Sequence, residues 1–209
     1  MAARSGTVSD RYQLGLLALF AAVAVALGIS PSYRDDWLIE NLLVFATLAV
    51  LLASHRRFRL SDTSCTLLFA FLVLHEIGAH YTYAEVPYAE WLAAWTGIDV
   101  ASKLGWSRNH YDRLIHFAYG LLMLLPAVEL LRRVAPPAGI WRYVLPVTFI
   151  LSHSAIYELI EGAAAFVFGG DLGTAYLGTQ GDEWDAQKDM LCAGLGAVVG
   201  AILVRPGRS

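Results

Sequence analysis

Charge is what this sequence has least of. Only 16% of its 209 residues are Asp, Glu, Lys or Arg, while 57% are hydrophobic and the mean hydropathy is +0.52. That balance excludes a disordered chain or a coiled coil and is too apolar for an ordinary soluble domain. Positive charge is in deficit too: 15 Lys and Arg stand against 18 Asp and Glu, a net charge of −3, so no basic face exists to follow a phosphate backbone and nucleic acid is not an expected partner. Two cysteines, Cys65 and Cys192, sit far apart in apolar stretches, which excludes a disulfide framework and a thiolate zinc site. A phosphate-binding loop is also lacking. The glycine-rich run at 169–181 has neither the spacing nor the following Lys-Ser/Thr of that motif, so no nucleotide is expected.

Long apolar runs are what the sequence has instead. Crossing a bilayer takes about 20 mostly apolar residues, and six segments qualify, at 12–29, 37–53, 62–83, 111–131, 141–168 and 183–204. The expected fold is therefore all-α: a polytopic six-helix transmembrane bundle forming one domain over 1–209, with membrane lipids as its surroundings. The first run is too long for a signal peptide and lacks an obvious small-x-small cleavage pattern. Between spans three and four, Tyr88, Trp91, Leu92 and Trp95 recur at i, i+3, i+4 and i+7. This stripe predicts a short helix in the membrane interface, acting as an anchor or as a lid. With the N-terminus inside, ten Lys and Arg fall on the cytoplasmic side and five on the other, so both termini are expected in the cytoplasm.

Ionisable groups within a bilayer cost several kcal/mol unless paired or metal-bound, which makes them functional candidates. Four spans carry them at spacings that share a helix face: Glu76 with His80, Asp112 with His116, Glu158 with Glu161, and Asp185 with Asp189. All lie late in spans three and five or early in four and six, and alternating spans put those ends on one side, within roughly 12 Å of it at 1.5 Å per residue. The first two spans read as almost free of buried charge, with Glu40 near an end. Four helices each donating a carboxylate or a carboxylate–histidine pair follow the ligand logic of di-iron and di-manganese bundles. Hard oxygens with imidazole suit zinc, iron or manganese. Glu158 and Glu161 are also candidate general bases. His75, His110, His153 and Asp182 form a second rank, His75 and His153 because Phe71, His75 and His80 echo Phe149, His153 and Glu158 at an offset of 78. Competing structural readings exist: Asp182, Glu183 and Asp185 suit a helix cap, Asp112 could pair with Arg113, and His153 could simply bond across helices.

With these residues in view, the chain resembles the bacterial inner-membrane YjdF-like family. The likeness rests on His75-Glu76 with His80, on Arg108-Asn109-His110-Tyr111-Asp112-Arg113 with His116, on Tyr157-Glu158 with Glu161, and on Gly181-Asp182-Glu183-Trp184-Asp185 with Asp189. It implies a multi-pass protein of the bacterial inner membrane and brings no reaction with it. The leading expectation from the residues is a metal-dependent enzyme, a hydrolase or a di-iron oxidoreductase, acting on a lipid or amphipathic substrate in the outer half of the bilayer. A proton- or cation-coupled transporter and a non-catalytic structural or sensory protein are the alternatives.

Overall fold

The computed structural model describes residues 9–168, 170 and 179–205. Most of the glycine-rich run and both chain ends, with Arg4 and Arg208, lie outside the described residues. No strand occurs among those described. Six helices are long and apolar enough to cross a membrane: α1 (Asp10–Gly28), α2 (Arg34–Ser54), α3 (Asp62–Tyr81), α6 (Tyr111–Val134), α7 (Trp141–Phe168) and α8 (Asp185–Val204). Between α3 and α6 a 3-10 turn (Tyr83–Glu85) is followed by two short α-helices rather than the one expected, α4 (Tyr88–Thr96) and α5 (Val100–Leu104). Gly97 and Gly105, both at positive φ, end them, because a left-handed cap is least strained at glycine. The α4 stripe is divided. The Tyr88 hydroxyl accepts from the His110 amide at 3.1 Å, whereas Trp95 is 91% exposed and is free to sit at headgroup depth.

The bundle is organised on α6, which packs against α3, α7 and α8, while α1 and α2 lean on α3. Its tightest seam is α6 against α8. Ala193, Ala197, Gly196, Gly200 and Ala201 present almost no side chain there. A Cβ on Gly120 would overlap the Ala193 carbonyl, and one on Gly196 would overlap the Phe117 carbonyl. Lipid tails offer no hydrophobic drive for helix association, so this close backbone approach supplies dispersion contact that larger residues would prevent. Beside the seam, Leu124 and Val128 of α6 meet Ile150 of α7 and Ala197 of α8.

A second cluster joins Phe20, Val44 and Leu72 from α1, α2 and α3, and it fixes the rotation of α3. Leu72, Glu76 and His80 follow one another at i, i+4 and i+8 along a single face. With Leu72 turned to α1 and α2, Glu76 and His80 must face them as well. The opposite side of α3 meets α6, where the Phe71 and Tyr119 rings lie 5.5 Å apart.

Candidate metal centre

Asp112 and His116 open α6 one turn apart, and the His116 Nε2 atom lies 3.6 Å from Asp112 Oδ1 and 3.5 Å from Glu158 Oε1 of α7. Asp189, one turn into α8, completes the group. One ligand atom from each of Asp112, His116 and Asp189 falls within 4.8 Å of the other two. Asp189 is 2% exposed, yet its Oδ1 has no hydrogen bond, and Glu158 Oε1, although 3.5 Å from His116 Nε2, has none either. Glu161 faces Glu158 from the next turn. Three helices thus contribute five of the anticipated ligands to one place.

Asp185 shares a helix face with Asp189 but is answered differently. Arg108 Nη1 donates to its Oδ1 at 2.6 Å and Arg113 Nη2 at 3.2 Å. Asp182 takes Arg113 and both contacts of the Lys188 ammonium, at 2.6 and 2.8 Å. This ring of ions clamps the start of α6 to the start of α8. Gln180 adds to it by exchanging hydrogen bonds with the Asn109 backbone at 2.9 and 3.0 Å. The Lys188 ammonium, followed by the Trp184 amide and Arg113, holds the Asp182 carboxyl well below the usual aspartate range. A lowered folded-state pKa means that the ionised form stabilises the fold: the contribution is complete above about pH 3.9 and is lost as pH falls below it. Asp182→Asn should therefore melt earlier than wild type in detergent at pH 7, with the gap closing in acid.

The α3 pair departs from expectation. His80 Nδ1 donates to the Leu27 carbonyl at 2.7 Å, holding α3 to the end of α1, and the fully buried Glu76 faces Trp37 and Asn41 of α2. Neither residue joins the α6–α8 group, for the rotational reason given by Leu72. His75, next to Glu76 in α3, meets the Tyr83 hydroxyl at 2.6 Å. His153 pairs with Tyr119 at 2.9 Å on an exposed part of α7, and His110 caps α6 with its ring 4.7 Å from Trp106. Burial, then Arg113 and Arg108, push the His110 imidazole below its ordinary range.

Sequence reasoning missed the acids of α2. That helix begins at Arg34, so Glu40 lies nearly two turns inside, and Asp36 and Glu40 are 2% and 7% exposed. The Tyr157 hydroxyl of α7 donates to Glu40 Oε2 at 3.3 Å. Asp36 accepts from Thr82 at 2.9 Å, holding that residue at φ 57, a conformation costly for a β-branched side chain. Their shared spacing with Val44 on one face of α2 was the available signal.

Together these features define a helical membrane protein with six candidate spans and a carboxylate–histidine cluster gathered at one end. The chain belongs to the family described as predicted membrane protein DUF2238, whose model matches residues 12–206. It is 39% identical over 183 residues to the inner membrane protein YjdF of Escherichia coli strain K12, covering 87% of this chain and 83% of that protein. No solved structure matches.

Proposed function

We propose that this is a metal-dependent enzyme of the bacterial inner membrane acting on a lipid or other amphipathic substrate in the outer half of the bilayer. One observation carries the reading: Asp112, His116 and Asp189 bring ligand atoms within 4.8 Å, while buried oxygens of Asp189 and Glu158 beside them lack any hydrogen bond. Leaving such oxygens unanswered in a water-poor interior costs about 1–3 kcal/mol each, and a divalent cation answers all of them at once. The donors fit zinc, iron or manganese, being hard carboxylates with one imidazole and no thiolate. Such an ion, when bound, polarises an ester or phosphoryl oxygen or lowers the pKa of a water. Glu161, set beside Glu158, is positioned to take a proton.

The inner half of the bundle argues for local chemistry over a relay through the membrane. There Glu129 is committed to the Ser61 amide at 2.9 Å and to the Ser61 hydroxyl, capping α3. The test is thermal. Protein stripped with chelator should melt several degrees higher once manganese or zinc is restored, because a ligand bound only by the folded state stabilises it by mass action. Asp189→Asn should lose that gain. No metal-dependent shift in wild type would contradict the reading.

The orientation belongs to the same proposal. Ten basic residues on one side against five on the other support a cytoplasmic location for both termini and a cluster toward the periplasm. Reporter fusions after Leu60 and Ala138 should read cytoplasmic, and a fusion after Trp95 external. A periplasmic signal after Ala138 would reverse the assignment.

A further inference from the structure

We propose that Glu76 of α3 and Asn41 of α2 form a site for one exchangeable monovalent cation, a proton or a sodium ion, apart from the group of Asp112, His116 and Asp189. Its place follows from the register of the two helices. The Ser32 amide, just before α2, donates to the His80 carbonyl at 2.8 Å, and further along Val44 clusters with Leu72, so the helices run antiparallel. Glu76, midway between Leu72 and His80, therefore stands opposite the part of α2 that carries Trp37 and Asn41. Glu76 and Asn41 are both 0% exposed. Phe20, Val44 and Leu72 close the site on one side, and on the other the Trp37 ring lies against Gly28, where a Cβ would come within 2.8 Å of it.

The hydrogen bonds of this site do not balance. Asn41 Nδ2 donates to the Trp37 carbonyl at 2.9 Å, which orients the amide and leaves its Oδ1 as an acceptor, because a carbonyl cannot donate. Asn41 Oδ1 and both Glu76 oxygens are buried without a hydrogen bond, and Trp37 Nε1 is a donor in the same condition. Three acceptors thus stand against one donor. The indole can answer one Glu76 oxygen; a proton on the other serves Asn41 Oδ1, and a sodium ion would be held by the same oxygens.

Charge gives the same answer. Glu76 takes part in none of the ion pairs among the described residues. The ionisable groups near it are engaged elsewhere: on α2, Asp36 accepts from Thr82 and Glu40 from Tyr157; on α3, His75 meets Tyr83 and His80 bonds to the Leu27 carbonyl. Helix α1 adds none, since its Asp10 and Arg11 stand at the opposite end from Gly28. A carboxylate left unpaired in a water-poor interior is too costly to keep ionised, and one positive charge removes that cost. A single carboxylate calls for a single charge. The group of three acid or histidine ligands at metal distance among the described residues lies elsewhere, at Asp112, His116 and Asp189.

The test is infrared difference spectroscopy on detergent-purified full-length protein at pH 7 in sodium-free buffer. Subtracting Glu76→Gln, which keeps the shape of the side chain, from wild type should leave the carbonyl band of a protonated carboxyl group, shifted to lower frequency in heavy water. Sodium chloride abolishes that band if sodium competes for the site, whereas choline chloride does not; a band that survives sodium chloride assigns the site to the proton alone. A second measurement needs only wild type. Dicyclohexylcarbodiimide modifies protonated carboxyl groups in apolar surroundings, and peptide mapping should find its adduct on Glu76 in sodium-free buffer. Should Glu76→Gln fail to fold, the adduct decides the question. No carboxyl band, or without a folded variant no adduct on Glu76, means an ionised side chain that holds no cation and overturns the site, leaving the metal reading at Asp112, His116 and Asp189 standing.

Discussion

Replacing Gly196 with leucine should prevent the bundle from assembling. The position lies where α8 crosses α6, and even a Cβ would overlap the Phe117 carbonyl. That obstacle is backbone, so no rotamer change relieves it. Overpacking usually costs about 1–3 kcal/mol when side chains can give way; here two helix axes must separate, and the expected loss is ~3 kcal/mol or more, a large share of the stability of a domain this size. Gly162→Leu makes the control, because nothing lies within 4 Å of a Cβ built there and the residue is exposed. Size-exclusion profiles and melting in mild detergent should show an aggregated or early-melting Gly196→Leu protein beside a Gly162→Leu protein close to wild type. Since α6 and α8 carry Asp112, His116 and Asp189, the same change should abolish metal retention.

His116→Ala and Glu158→Gln should each lose most of the bound metal, by at least about tenfold in affinity, since each removes a donor facing the centre. Arg113→Ala should retain metal, because Arg113 bonds to Asp182 and Asp185 and stands outside the ligand set. If the acids serve only as a polar lock, the pattern inverts: wild type purifies without metal, and Glu158→Gln melts at the same temperature as wild type or higher, because neutralising an intramembrane acid removes a desolvation cost. Metal content and melting temperature measured on the same four proteins separate the two outcomes.

The spans were legible because length and apolarity decide them before packing does, and the observed helices begin and end within a few residues of the expected ones. Three of the four helical pairs mark the helices that build the cluster, since i, i+3 and i, i+4 spacing is a property of the helix alone. What spacing cannot give is the rotation of a helix about its axis. Glu76 and His80 have the same spacing as Asp112 and His116, but Leu72 on their face packs with Phe20 and Val44 and carries them away from the centre. Glu40 was passed over for a related reason: a polar residue beside the end of an apolar run looks like interface, whereas α2 extends three residues beyond that run, back to Arg34. Asp185 and Asp189 share a face and yet differ in role. Arg108, distant in sequence, reaches one of them at 2.6 Å, and only the folded chain reveals that partnership.

The proposed function requires a metal ion among Asp112, His116 and Asp189. Crystals of the full-length protein grown in lipid and soaked with manganese, with data collected above and below the metal's absorption edge, address it directly. An anomalous peak is expected within coordination distance of His116 Nε2 and the Asp112 and Asp189 carboxylates, about 2.0–2.2 Å from each. Well-ordered density for all three side chains with no anomalous signal between them would contradict it.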